Sequence, residues 1–291
     1  MNPAFFSPRK LLSLQPPPAS VVGLVVSDVT NPFFAEVIPD IEECLDVAGF
    51  TTLLGNTCED CAREARLLKT MRDLPPTGVL MCPSFGHDGL SAQPLRLVGR
   101  LPTVAFARPA GGLDYVGVNN VYGAELAVDH LYQNGHRKIA FVGGEPQAIA
   151  TQERLEGYQR ALTRRDLPLE LRWMVPSSPS RCGGYRNTAS LLQLENPPTA
   201  AVCFNDLVAF GLVQALQQAG RKPGAEFGVI GFNDVPVILD SYPLLTTVDT
   251  SPRQLGEVAA ELLLRRIAKP DSLLQKVILQ PRLIVRHSCG C

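Results

Sequence analysis

The sequence predicts an α/β protein built of two doubly wound halves, each a mostly parallel sheet flanked by helices. Three observations predict it. Short apolar runs rich in β-branched residues alternate with stretches of helical periodicity from Val21 onward, the signature of consecutive βα units. The alternation passes through one series up to about Val118 and resumes in a second from Lys138. The runs are continuously apolar, as in strands buried on both faces, and the helices between them supply the right-handed crossovers that parallel strands need.

The first unit of this pattern organises the rest. Val21–Val26 reads as a buried strand, and Ser27, Asp28, Thr30 and Asn31 then break the apolar run. Pro32 stands where a helix can begin, and Phe34, Val37, Ile38, Ile41, Leu45 and Ala48 follow at helical spacing. Two adjacent aromatics at a helix start cannot both point inward, so one of Phe33 and Phe34 is expected to face the crevice beyond the strand end, where open α/β sheets bind ligands. Ahead of this unit, residues 1–20 mix apolar and basic residues and include Pro16-Pro17-Pro18. They read as an arm, because consecutive prolines favour an extended polyproline path.

The next elements follow in order. Thr51–Leu54 is a strand after Gly49, and Ala62–Leu74 a helix with Ala65, Leu68 and Met71 on one stripe. Gly78–Cys82, Thr103–Ala107 and Tyr115–Val118 are strands, the second of them leaving Arg108 at its end. Asn119-Asn120 caps a helix that closes at Gly135-His136. In the second series, Ile139–Val142, Trp173–Val175, Ala200–Phe204 and Gly228–Phe232 are strands. Leu155, Tyr158 and Leu162 mark one helix, Gly184–Leu194 another, and Ala209, Phe210, Val213 and Leu216 a third. Pro252 opens a late helix that is surplus to the second half, so it is expected to return to the first. Lys276–Leu279 and Leu283–Arg286 read as a closing pair of strands. The expected division is 21–118 plus 249–268 for an N-terminal subdomain and 119–248 plus 269–291 for a C-terminal one.

Composition narrows the function. The chain has 291 residues, 45% hydrophobic and 19% charged, enough apolar material for two cores. A net charge of -1 gives no electrostatic reason to expect nucleic acid or an anionic membrane as a direct partner. No apolar run approaches the roughly 20 residues of a membrane span. The N-terminus has no signal-peptide layout, so the expected location is cytoplasmic. Of eight cysteines, Cys58 and Cys61 form a C-x-x-C at a helix start and Cys289 and Cys291 end the chain. Buried structural thiols are the expected default, since a zinc site needs ligands that no second C-x-x-C or histidine pair supplies. Neither a metal nor a cofactor is expected.

Catalytic motifs are absent. There is no G-x-S-x-G, P-loop, H-E-x-x-H or G-x-G-x-x-G, and the histidines His87, His130, His136 and His287 stand apart from any nucleophile. What recurs is short polar chemistry at strand exits: Asp28 and Asn31, Asn119-Asn120, Asn205-Asp206 and Asn233-Asp234. Each alone is a helix cap. Together they offer carboxamides that both donate and accept, which suits hydroxyl-rich or heterocyclic ligands. Arg154, in the first turn of the Leu155 helix, is a guanidinium able to fork onto ligand oxygens, or to pair on the surface with Glu153 or Glu156. With Phe33 and Phe34, these residues suit binding rather than turnover.

Six ordered stretches resemble one family. They are Val22–Glu36, Gly135–Ala140, Arg154-Leu-Glu-Gly-Tyr158, Asn205–Gly211, Val229-Ile-Gly-Phe-Asn-Asp234 and Pro243–Val248. The sequence is similar over about residues 21–288 to the LacI/GalR family of bacterial transcription regulators, in their effector-binding core of the periplasmic-binding-protein type I fold. The resemblance implies a small effector, sugar-like or nucleobase-like, bound between the subdomains of a homodimer. It implies effector contacts from Phe33, Phe34, Arg154 and Asn205, with Asp28 in the same loop as the aromatics. Asn233 occupies a position where many members carry an aspartate for ligand hydroxyls, and Asn119 likewise replaces a frequent aspartate. The family's helix-turn-helix is not recognisable ahead of the core, so operator DNA is expected as a partner only through a head that these residues do not contain. A transporter's solute-binding protein is the alternative on the same fold, and the absence of an export signal argues against it.

Overall fold

In the computed structural model, residues 20–73, 77–84, 93–236 and 243–290 are described. The arm expected over residues 1–20 lies, apart from Ser20, outside them, as do His87 and Cys291. The chain divides into two compact units: one runs to Gly117 and takes back Pro252–Ile278, the other comprises Val118–Ser251 and the chain from Leu279.

The first unit has a sheet in the order β11-β5-β4-β3-β1-β2. Strand β1 (Val21–Val26) pairs parallel with β2 (Thr51–Asn56) on one side and β3 (Gly78–Met81) on the other. Leu24, Val25 and Val26 are fully buried, as a strand covered on both faces requires. A Cβ at Gly23 would come within 2.5 Å of Met71 Sδ, so the glycine lets helix α2 (Cys61–Asp73) lie close on the sheet. Helix α1 (Pro32–Val47) starts as the sequence predicts: Asn31 Oδ1 accepts the Phe33 N–H at 3.1 Å, and Phe34, Val37, Ile41 and Leu45 form its buried stripe.

Helix α2 departs from expectation in its inward face. Glu64, Leu68 and Met71 are buried, whereas Ala65 is only half-buried. Spacings of four and three place Glu64 on the core stripe, and its carboxylate is satisfied there by the Ser84 N–H at 2.5 Å.

Beyond β4 (Thr103–Phe106) and β5 (Asp114–Val118), the unit is completed by chain from the far end of the sequence. Helix α8 (Pro252–Ala268) packs on α1 so closely that a Cβ at Gly256 would meet Val37 O at 2.5 Å. Its last turn is anchored by a buried ion pair, Arg266 Nε to Asp114 Oδ2 at 2.7 Å and Nη2 to Oδ1 at 3.0 Å. Arg266 also donates to the carbonyls of Pro270, Ser272 and Leu273, and Asp114 accepts the Gln275 N–H. These bonds lead the chain from α8 into β11 (Lys276–Leu279) beside β5.

The second unit has a sheet in the order β12-β10-β9-β8-β6-β7. Strands β6 (Ile139–Val142), β8 (Ala200–Cys203), β9 (Gly228–Asn233) and β10 (Thr246–Asp249) are parallel neighbours, and β7 (Met174–Val175) joins β6. Phe141, Tyr158, Leu162, Val202 and Phe232 fill one core cluster, with the Tyr158 hydroxyl donating to Ile139 O at 2.8 Å. Helices α4 (Asn120–Gln133), α6 (Arg181–Leu192) and α7 (Asp206–Gln218) begin at Asn119, Ser180 and Asn205, each of whose side-chain oxygens accepts a first-turn N–H. Helix α5 (Ile149–Arg164) has no side-chain cap.

The two closing strands do not pair with each other as the sequence suggests. β11 edges the first unit's sheet, and β12 (Arg282–Ile284) runs antiparallel to β10 in the second. Among the described residues no helix is long and apolar enough to cross a membrane.

Candidate functional site

Within the second unit, the ends of β8 and β9 and the first residue of α4 gather around Arg154, which lies in the second turn of α5 rather than the first. The side chain is 7% exposed. Its Nε donates to Asn120 Oδ1 at 2.9 Å, and Nη1 donates to the Phe204 carbonyl. Its Cζ lies 3.8 Å from the centroid of the Phe232 ring and 4.7 Å from that of Phe204. The cation thus sits over two aromatic rings, and cation–π attraction helps to hold it there. Asn120 in turn donates to Glu153 Oε2 at 2.8 Å, which fixes its amide with the oxygen toward Arg154. The surface ion pair considered from the sequence therefore gives way to a buried, oriented guanidinium.

Asn205 and Asn233 sit on the same loops. Asn205 is 3% exposed; its Oδ1 accepts the Val208 N–H at 2.9 Å and its Nδ2 donates to Pro179 O at 3.1 Å. It is thus a helix cap that also ties down the loop before α6. Asn233, 9% exposed, ends β9 with a φ of 116°, and Asp234 follows at 56°. Two successive left-handed residues without glycine mark a strained strand exit. Asp234 is held by Arg286 at 2.8 Å.

Asp206 lies beneath these loops, 1% exposed. It accepts from Thr247 Oγ1 at 2.5 Å and the Val235 N–H at 3.0 Å. Burial pushes its carboxyl up to about 6, against the lowering effect of those hydrogen bonds. Gly231 is required beside it, because a Cβ there would come within 2.1 Å of Asp206 Oδ1. One turn before Arg154, Thr151 is 2% exposed and its Oγ1 has no hydrogen-bond partner.

In the first unit, the exits of β1 to β4 carry the remaining candidates. Asp28 Oδ1 accepts from Thr30 N at 2.9 Å and Thr30 Oγ1 at 2.7 Å, closing an Asx turn. Phe34 is a core residue, 2% exposed and edge-on to Phe106 at 6.4 Å. Phe33 packs edge-on to Phe34 at 5.3 Å and is the ring left half-buried. Around them stand residues the sequence reading did not nominate. Thr57 and Ser84 share a hydroxyl hydrogen bond at 2.7 Å, and Glu64, pushed up by burial, accepts from Ser84. Arg108 forks onto Glu59 at 2.8 and 2.9 Å and donates to Pro83 O at 2.9 Å.

The structure therefore brings Arg154, Asn205 and Asn233 together in one unit and Asp28, Phe33 and Phe34 in the other. Asn120, Phe204 and Phe232, which orient the arginine, are partners that sequence reading missed as a set. Asn120 alone was visible, as one of the strand-exit carboxamides. Among the described residues, no three His, Cys, Asp or Glu side chains gather as a metal ion would need.

A family profile described as a periplasmic binding protein-like domain matches residues 128–289. Over 270 residues the chain is 32% identical to the HTH-type transcriptional repressor PurR of Mannheimia succiniciproducens, spanning 92% of this chain and 80% of that protein. It is 31% identical over 279 residues to the ribose operon repressor of Haemophilus influenzae, spanning 95% and 83% respectively. The crystal structure of a LacI family transcriptional regulator from Enterococcus faecalis V583 with bound ribose superposes with a TM-score of 0.81 at 30% identity, covering 92% of this chain and 98% of that one. Parallel-sheet units with binding-type side chains at their strand exits make this a periplasmic-binding-protein-like effector domain of type I. The chain belongs to the LacI/GalR family of transcription regulators and forms their effector-binding core.

Proposed function

We propose that the chain senses a small, polyhydroxylated, sugar-like effector and passes the binding event to a DNA-binding head as a change in the population of two conformations. The observation that carries this reading is Arg154. A guanidinium packed over the Phe232 ring and oriented by Asn120 is prepared for neighbouring hydroxyls, which accept from its N–H groups. The ribose bound by the Enterococcus faecalis relative supports a sugar over a nucleobase.

In this reading the second unit's effector contacts are Arg154, Asn205 and Asn233, and the first unit's own candidates are Asp28 and Phe33, with Phe34 as the packing behind Phe33. The uncharged Asn233 both donates and accepts, so it suits a neutral polyol better than a cationic ligand. The protein works as a cytoplasmic homodimer. By linkage, effector and operator each change the other's affinity by the same factor.

The test is a thermal-shift and calorimetry panel of pentoses, hexoses, disaccharides, sugar phosphates and nucleobases. A bound ligand raises the melting point by mass action. A saturable shift with a neutral sugar is the expected result, and a response confined to nucleobases would overturn the sugar reading.

A further inference from the structure

The C-x-x-C formed by Cys58 and Cys61 is not a pair of buried structural thiols. Cys58 is exposed and Cys61 half-buried, and no disulfide joins the described cysteines. They flank the turn between β2 and α2. The Asp60 N–H bonds to Thr57 O at 3.1 Å, and within that turn Cys58 and Glu59 have φ values of 53° and 60°. Two successive L-residues disfavour this left-handed conformation. Neighbours hold it: Glu59 N–H donates to Ser27 O at 3.0 Å, its carboxylate takes the Arg108 fork, and Asp60 caps α2 through Ala62 and Arg63.

The two sulfurs have different surroundings. Cys58 Sγ receives Asn56 Nδ2 at 3.3 Å and Arg63 Nη1 at 3.5 Å, an amide and a cation both directed at it. Both contacts bring a hydrogen-bond donor to a sulfur that is exposed to solvent. Cys61 opens α2, where burial and then Glu64, Asp60 and Glu59 keep its thiol protonated. Among the other described cysteines, Cys44 is half-buried and its thiol is pushed up to about 11, chiefly by burial. Cys82, Cys203 and Cys289 are buried, and burial holds the Cys82 thiol up at about 11. Cys182 is exposed, but no described residue donates to its sulfur.

We propose that Cys58 and Cys61 form a solvent-facing thiol–disulfide exchange site, with Cys58 attacking and Cys61 resolving, whose co-substrate is a small disulfide such as glutathione disulfide. The Cys58 thiolate attacks one sulfur of the small disulfide, forms a mixed disulfide and expels one thiolate. Cys61 then loses its proton to solvent and attacks Cys58 Sγ, which expels the second thiolate and leaves a Cys58–Cys61 bond. Two protein thiols are oxidised and one small disulfide is reduced to two thiols. The site does not depend on the effector reading.

The test exposes the reduced, folded chain to excess glutathione disulfide, quenches it with an alkylating agent and maps each cysteine by peptide mass spectrometry. Cys182 serves as an exposed reference in the same molecule. The expected result is a Cys58–Cys61 disulfide in the parent protein, a stable glutathione adduct on Cys58 in C61S, and no adduct at Cys61 in C58S. N56A and R63A, which leave both cysteines in place, should each slow the Cys58 reaction several-fold while leaving Cys182 unchanged. Reaction of Cys58 no faster than Cys182, or a Cys58 adduct that persists in the parent protein without closing onto Cys61, overturns the proposal.

Discussion

The guanidinium carbon of Arg154 lies 3.8 Å from the centre of the Phe232 ring, and Asn120 accepts its Nε–H at 2.9 Å. An arginine from α5 is thereby fixed against the end of β9 by a residue from α4. Three elements distant in sequence set one planar cation, which leaves it little rotamer entropy to lose when a ligand arrives.

Replacing Arg154 removes that cation. R154A leaves Asn120 Oδ1 and the Phe204 carbonyl without the donor they share, at a cost of about 1–3 kcal/mol in folding stability. Ligand-induced stabilisation should vanish, while circular dichroism retains the α/β signature. A thermal shift with the best sugar equal to that of the parent protein would refute Arg154's role.

Thr151 carries a buried hydroxyl without a protein partner. T151V keeps the shape and removes the unsatisfied group. The unliganded variant should be more stable than the parent by about 1 kcal/mol, because the desolvation cost of that hydroxyl is gone. Its sugar affinity should fall if an effector hydroxyl completes the bond. Urea denaturation reads the first effect and calorimetry the second.

Asp206 has a folded value of about 6 against an ordinary 3.8. Because the folded value is the higher, the folded state holds the proton more tightly. The contribution to stability is complete below the unfolded value and is lost as pH rises through the folded one. The parent protein should therefore lose stability relative to D206N between about pH 4 and pH 6, by on the order of 3 kcal/mol at most. Paired urea melts across that window check it; parallel curves would show that Asp206 does not titrate there.

Arg266 and Asp114 form a buried pair at 10% and 1% side-chain exposure. R266M would strand the Asp114 carboxylate and release the carbonyls of Pro270, Ser272 and Leu273. The expected loss is about 3–5 kcal/mol. Hydrogen exchange should show β11 opening before the rest of the first unit's sheet.

Much of this molecule was legible in the sequence where the signal is local. Asn31, Asn119 and Asn205 were readable as caps because a cap acts within four residues of itself. The apolar runs were readable as buried parallel strands because both faces must be covered. The inward turn of Glu64 was not readable, since its partner is the backbone of Ser84, twenty residues on. The separation of β11 from β12 was hidden for a similar reason. Periodicity identifies a strand and says nothing of which sheet edge it joins. Of the two aromatics, the sequence required that they part company, and the core packing against Phe106 chose Phe34 as the inner one.

The sequence by itself determined the βα alternation, the caps, the polar character of the strand exits and, through six ordered motifs, the family. These depend on side-chain period and on neighbours a few residues apart. Only the tertiary structure decided that Asn120, Phe204 and Phe232 orient Arg154, that Asp114 anchors Arg266, and that Cys58 sits in reach of Asn56 and Arg63 on an exposed turn. Most of these contacts join residues far apart in the chain, and even the short-range one around Cys58 depends on a turn that distant Arg108 and Ser27 hold in place. Their geometry exists only once packing has chosen which surfaces meet.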